Sequence, residues 1–243
     1  EDEKKKRIFY TALYHAMIAP NVYQDVDGNY RGRDGKISTA SGFTNYTVFS
    51  LWDTYRALHP LFTLINRDRN ADFIRTFLTQ YEQAGLLSIW ELAGYETFCM
   101  IGYHSIPVIT DAYLKGITGF DAQRALEAMK KSAETSQKDL KQYKLKGSII
   151  VDASYFRYAA GFDDYLQYGF IRQRFINNSV SKTLEYAYND WCIAQMAKAL
   201  GDSAGYEKYI ERAANYRNLF DPETGFMRPR GKHHFKRSFD PYK

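Results

Sequence analysis

Residues 181–200, SKTLEYAYNDWCIAQMAKAL, decide the fold class. Leu184, Ala187, Trp191, Ala194 and Ala197 recur at steps of three and four residues, which places them on one side of a helix as a stripe for burial. Ser179 or Ser181 caps its start and Gly201 stops it. A second helix is expected over 204–220, with Tyr209, Ala213, Tyr216 and Phe220 on one face. So short a connection makes the two helices antiparallel neighbours. The same periodicity predicts helices at 8–18, 47–59, 68–84, 99–114 and 121–136, with Pro60 and Pro107 ending or kinking theirs. Strand signals are confined to 148–151 and to 225–228, the latter after the turn Asp221-Pro222-Glu223-Thr224. The chain therefore reads as mostly α, built from antiparallel helical hairpins. No sequence period of repeat length is visible, which argues against a regular solenoid.

The 243 residues are 45% hydrophobic, enough for a sizeable core. No uninterrupted apolar run of about 20 residues predicts a transmembrane helix. The N-terminal residues lead straight into Ile8 and Phe9 without a signal-peptide apolar region, so any export signal is expected outside this sequence. A net charge of +5 is modest and gathers at 4–7, 138–146 and 232–237, without a binding motif interleaved; nucleic acid is not an expected partner. Cys99 and Cys192 stand in apolar surroundings and read as buried thiols.

Two runs concentrate polar chemistry. Trp52-Asp53-Thr54-Tyr55-Arg56 is the first, and Trp90-Glu91-Leu92-Ala93-Gly94-Tyr95-Glu96 running on to His104 is the second. Acids, flat rings and a guanidinium suit a sugar. Carboxylates accept from hydroxyls, rings stack on the C–H faces of a pyranose, and arginine offers forked donors. Asp53 and Arg56 read equally well as a surface ion pair three residues apart. Glu91 and Glu96 sit among apolar neighbours, where unpaired carboxylates are costly. In the later helix Glu185, Asn189 and Cys192 share one face and Asp190 points towards that of Tyr186; such groups line a central cavity or face solvent.

Between the first two helices lies a loop at 20–46, rich in Gly, Asp and Asn, of a length that is usually functional or disordered. Within it Asp25-Val26-Asp27-Gly28-Asn29 alternates oxygen ligands as a calcium loop does. Tyr30 stands where that loop needs glycine, and Lys36 where it needs a bidentate glutamate, so a tight turn is the better reading. His59 and His104 lack metal-ligand spacing. Neither a phosphate-binding glycine loop nor a Gly-x-Ser-x-Gly elbow occurs, which disfavours nucleotide and serine-esterase chemistry.

With these residues in view, the chain resembles the helical domain of glycoside hydrolase family 92, calcium-dependent exo-acting α-mannosidases of bacteria that degrade N-glycans. The likeness runs from Phe9-Tyr10-Thr11-Ala12-Leu13-Tyr14, through Asp25-Val26-Asp27-Gly28 and Phe49-Ser50-Leu51-Trp52-Asp53-Thr54-Tyr55-Arg56, to Ser179-Val180-Ser181-Lys182-Thr183-Leu184-Glu185-Tyr186-Ala187-Tyr188. It implies an N-terminal β-sandwich followed by an (α/α)6 toroid, with residues 1–243 as the N-terminal portion of the toroid. It further implies hydrolysis of terminal α-mannosyl linkages, α-1,2 in type, with inversion. The general acid of the family stands in a Thr-Glu-Gly-Asn-Ala-Trp block and the base in a Gly-Asp-Asn-Asp type block. Neither block occurs in this sequence, so no catalytic residue is assigned, and the chain alone is expected to be inactive.

The resemblance places part of a sugar-binding wall here. Asp53 is expected to bind hydroxyls of the terminal mannose, with Arg56, Glu91, Glu96 and His104 as orienting groups and Glu185 and Asp190 as cavity-lining candidates. Where the family reads Gly-Asn-Glu-Thr-Asn-Cys, this chain has Gly94-Tyr95-Glu96-Thr97-Phe98-Cys99, two amides replaced by rings, which implies an altered aglycone preference. Ca2+ is implied for the complete enzyme, its ligands unassigned in this sequence. The implied partners are a mannose-containing glycan and further segments of the same polypeptide, and the implied location is the bacterial periplasm or cell surface. A non-catalytic carbohydrate-binding or protein-interaction module is the alternative.

Overall fold

In the computed structural model, residues 2–136, 161–173 and 176–242 are described. The expected strand at 148–151 and the basic cluster at 138–146 lie outside them. In chain order the elements are α1 (Glu3–Ala16), β1 (Asn21–Val22), β2 (Asn29–Arg31), β3 (Ile37–Thr39), β4 (Tyr46–Thr47), β5 (Phe49–Ser50), α2 (Leu51–Thr54), α3 (Leu58–Ile65) and α4 (Arg67–Ala84). There follow β6 (Trp90–Leu92), β7 (Tyr95–Glu96), α5 (Ser105–Leu114), α6 (Ala122–Glu134), α7 (Phe162–Tyr168), α8 (Ser179–Ala199), α9 (Ser203–Ala213), a 3-10 turn (Ala214–Leu219), β8 (Phe220–Asp221) and β9 (Phe226–Met227). Helices dominate, and the strands form four small antiparallel sheets: β1–β4, β2–β3, β5–β6–β7 and β8–β9.

The α8–α9 hairpin forms, but neither Ser179 nor Ser181 caps α8: Asn178 precedes it, Ser179 is its first helical residue, and the Ser181 hydroxyl donates to the Asn178 carbonyl. Asp202 caps α9 by accepting from the Gly205 amide at 3.0 Å. Helix α8 is buried more widely than its stripe, because α9 packs on one side and α5 and α6 on another. Tyr186, Asn189, Asp190, Ile193 and Met196 are sealed together with Ala187, Ala194 and Ala197, while Trp191 is turned outward and 44% exposed. The helix expected over 204–220 ends at Ala213, since Phe220 is drawn into β8 by pairing with Met227. The strand signal near 226 is thereby met.

Two other expected helices are cut for a common reason. At 47–59 the backbone pairs into β4 and β5, and Val48, between them, takes a left-handed φ of 67°. Only then do the short α2 and the separate α3 begin. At 99–114 the helix starts at Ser105, because Phe98, Met100 and Gly102 are left-handed at φ 49°, 73° and 76°. Pro60 and Pro107 consequently stand in the first turns of α3 and α5, where an amide hydrogen has no intrahelical acceptor to lose; they open helices instead of ending them. The 20–46 loop contains β1, the β2–β3 hairpin and the start of β4. Its Asp25–Asn29 turn is tight: Gly28 N–H donates to the Asp25 carbonyl at 2.9 Å, and both Asp27 oxygens accept from Asn29.

The core runs from Phe49, Phe73 and Phe77 under β5 to Tyr103, Phe162, Tyr165 and Tyr186 between α5, α7 and α8. Cys192 is buried there, whereas Cys99 is exposed in the loop before α5, where its burial was expected. Helix α1, capped by Asp2, contributes no buried residue; Ile8, Phe9, Tyr10 and Tyr14 are all exposed. Among the described residues no helix is long and apolar enough to cross a membrane.

His59 is sealed against Phe62 and Phe73, and burial pushes its imidazole down from 6.5 to about 3. The unfolded chain therefore takes up a proton first, and stability is lost as the pH falls from about 6.5 towards 3. His59→Leu is expected to flatten the fall of Tm between neutral and acid pH. Equal steepness in the two proteins would show that another group drives acid unfolding.

Candidate functional site

The β5–β6–β7 sheet is the floor of the site, with Phe49 opposite Glu91, Ser50 opposite Trp90, and Glu91 opposite Glu96. Glu96, buried, accepts the amides of Ile89, Trp90 and Phe98, each at 2.9 Å. Glu91 accepts from the Thr47 hydroxyl at 3.0 Å and the Gly94 amide at 2.6 Å. Burial raises its carboxyl to about 7, against those hydrogen bonds and the nearby Arg33. Arg33 is itself 2% exposed and donates to the Leu86 carbonyl and the Ser88 hydroxyl. Neither glutamate reaches the surface. They hold the backbone on which Trp90 and the loop to His104 are carried.

Glu96→Ala strips a charged acceptor from three buried amides, and with charge-assisted bonds worth about 1.5–3 kcal/mol each the loss in unfolding free energy is expected to exceed about 3 kcal/mol. Denaturant titration measures it. A change below about 1 kcal/mol would mean that water replaces the carboxylate and that the clamp is not needed.

Above this floor three hydrogen-bond donors and the His104 imidazole converge on Glu185 of α8. Trp52 Nε1 lies 3.2 Å and Arg56 Nη2 3.0 Å from Oε1, while Tyr55 Oη lies 3.3 Å and His104 Nε2 3.0 Å from Oε2. Arg56 also covers the rings of Trp52 at 4.9 Å and Tyr55 at 4.6 Å, and Tyr55 stacks on His104 at 4.3 Å. Burial alone would raise the Glu185 carboxyl, but His104 and Arg56 hold it below its ordinary value. Burial pushes the His104 imidazole down, against the pull of Glu185, and pushes the Tyr55 phenol up to about 12 with help from the Glu185 charge. With three hydrogen bonds and the His104 ring on its two oxygens, Glu185 is an organiser of donors. It fixes an arginine, an indole and a phenol at the rim.

Asp53 is exposed beside this rim, its carboxylate accepting from the Ser50 hydroxyl. It makes no pair with Arg56. Helix α2 ends at Thr54, so the helical spacing of 53 and 56 is lost and the guanidinium turns to Glu185 instead. Trp52, Tyr55, Arg56, His104 and Glu185 are thus brought together; Asp53, next to Trp52 in the chain, turns to Ser50, and Glu91 and Glu96 are held by the sheet backbone. Asp190 is elsewhere. It is fully buried on α8, accepting from Tyr103, Tyr165 and Arg212; burial raises it to about 6 against those partners. Arg33 and Asn189 are the supports that sequence reasoning did not single out as such, because their partners are some 50 and 85 residues away. Of the two rings replacing amides, Tyr95 accepts from Arg31 at 2.6 Å and Phe98 is buried in the core.

Residues 1–243 match the model of the glycosyl hydrolase family 92 catalytic domain. The chain belongs to glycosyl hydrolase family 92. A solved family GH92 α-mannosidase from Bacteroides thetaiotaomicron is 43% identical, with a TM-score of 0.88 over 99% of this chain and 30% of its own. A structure of an α-mannosidase of that family from the same organism in complex with mannoimidazole is 44% identical, with a TM-score of 0.83 over 96% of this chain and 28% of its own. An inverting mannosidase from that bacterium is 33% identical, with a TM-score of 0.82 over 96% of this chain and 30% of its own. An uncharacterized secreted glycosidase of Arthroderma benhamiae is 28% identical over 91% of this chain and 24% of its own length. The chain spans less than a third of each.

Proposed function

We propose that residues 1–243 form the N-terminal portion of the (α/α)6 toroid of an inverting, exo-acting α-mannosidase of the α-1,2 type, which trims terminal mannose from N-glycans in the bacterial periplasm or at the cell surface. The observation that carries this reading is the convergence of Trp52, Tyr55, Arg56 and His104 on Glu185, with Asp53 exposed next to Trp52 in the chain. This rim is part of the sugar-binding wall. Asp53 accepts from hydroxyls of the terminal mannose, Arg56 donates to its oxygens, and the indole of Trp52 offers an apolar face. The acid and base come from segments outside these residues. The uncovered apolar side chains of α1, and those of Tyr188, Trp191 and Tyr216 on the α8–α9 side, support packing against further helices.

Calcium has no ready donor set among the described residues: no three acid, histidine or cysteine side chains are grouped to hold it, and the Asp27 oxygens are taken by Asn29. The test is hydrolysis of α-1,2-linked mannobiose by the chain and by the complete enzyme, each with and without chelator. Turnover is expected only from the complete enzyme, and chelation should abolish it. Robust turnover by the 243 residues alone would place the chemistry here and overturn this assignment of roles.

A further inference from the structure

His104 is held from three sides. Tyr103 N–H donates to Asn189 Oδ1 at 3.0 Å, which fixes the orientation of that amide. Its Nδ2 therefore faces His104 Nδ1, 3.1 Å away, as a donor. A ring nitrogen that accepts carries no proton, so the neutral imidazole is protonated on Nε2, the nitrogen 3.0 Å from Glu185 Oε2. On that side of the ring stands Gly102. A Cβ there would lie 2.5 Å from His104 Nε2 and 2.9 Å from its Cε1, and the backbone is left-handed at φ 76°. Both His104 and Asn189 are buried, so water does not compete for these contacts.

We propose that Asn189 and Gly102 are positioning residues of the sugar-binding rim: Asn189 sets the Nε2–H tautomer of His104, Gly102 leaves the room in which that ring faces Glu185, and Glu185 in turn fixes Arg56 and Trp52. This rests on the reading of the rim as a mannose site. It also accounts for two residues that meet no ligand themselves. Asn189→Asp presents a carboxylate to Nδ1 and demands a proton there. Gly102→Ala drives the ring away from Glu185. Both act on the far side of Glu185 from the solvent, through the geometry of Arg56.

The test is nitrogen-15 NMR of the histidine-labelled chain at pH 7, with the His104 signals assigned by their loss in His104→Gln. In the native chain Nδ1 should resonate as an unprotonated and Nε2 as a protonated nitrogen; in Asn189→Asp, Nδ1 should become protonated. A native Nδ1–H tautomer, or an Nδ1 that stays bare in Asn189→Asp, overturns the proposal. The second arm measures affinity of the complete enzyme for mannoimidazole. Asn189→Asp and Gly102→Ala should each weaken it about tenfold, with Tm recorded to confirm folding. Asp53→Ala separates the two readings. A loss of affinity in Asp53→Ala with none in the other two overturns the positioning role; no loss in any of the three overturns the mannose site on which that role rests.

Discussion

Glu185→Gln in the complete enzyme is expected to lower kcat/KM by about two orders of magnitude, the largest effect of any isosteric change in the described residues. The amide replaces one acceptor oxygen by an NH2 group, which must then face either Trp52 and Arg56 or Tyr55 and His104, donors against a donor. Charge-assisted contacts are worth about 1.5–3 kcal/mol each, and each 1.4 kcal/mol is tenfold, so losing one face of the carboxylate accounts for about 100-fold. Stability carries a matching signature. The Glu185 carboxyl lies below its ordinary 4.5 in the folded chain, so its contribution is present above that pH and is lost as pH falls through the folded value. The glutamine variant should lack this acid-dependent term. Full activity in the variant would show that Arg56 and Trp52 are placed by something else.

Asp53→Ala is expected to lower kcat/KM by about one to two orders of magnitude for each sugar hydrogen bond lost, while Tm hardly moves. The two effects separate because Asp53 is exposed and its carboxylate meets only the Ser50 hydroxyl, so little of the fold depends on it. Steady-state kinetics with α-1,2-mannobiose and a thermal melt decide the matter together. An active variant that melts several degrees lower would make Asp53 a support for the β5–α2 corner and remove it from the site.

What could be read from the sequence follows from the range of the forces involved. Helices α4 and α6 and the α8–α9 hairpin rest on periodicity within a few residues, and they form where expected. The 47–59 and 99–114 segments carry a similar apolar content. Their course is set by strand pairing of β5 with β6, some 40 residues on, and by left-handed turns at Val48, Phe98 and Met100 that no local preference of those side chains favours. Trp191 reads as buried from its spacing, yet it faces out, because α9 and α5 claim other sides of α8.

The site divides in the same way. The Trp52–Arg56 run and His104 stand out by residue type. That they meet at Glu185 depends on a contact spanning 133 residues from Trp52, which periodicity does not encode. Glu185 itself reads from its helix position as slightly better suited to solvent than to a cavity. Only the placing of the Trp52–Arg56 run and His104 against α8 gives it three hydrogen-bond donors and an imidazole. Glu91 and Glu96 show the converse: their apolar neighbourhood marks them as unusual, and the structure resolves the cost by giving them backbone amides and a hydroxyl instead of a ligand.

The most direct measurement is a crystal structure of the complete enzyme with mannoimidazole bound. The sugar mimic is expected against the rim made by Trp52, Asp53 and Arg56, with an Asp53 carboxylate oxygen within hydrogen-bond distance of a ring hydroxyl and Glu185 still gripping Arg56 and His104. A mimic bound away from Trp52 and Asp53, or an Asp53 carboxylate that remains on Ser50 and meets no hydroxyl, would contradict the assignment of this rim to the sugar.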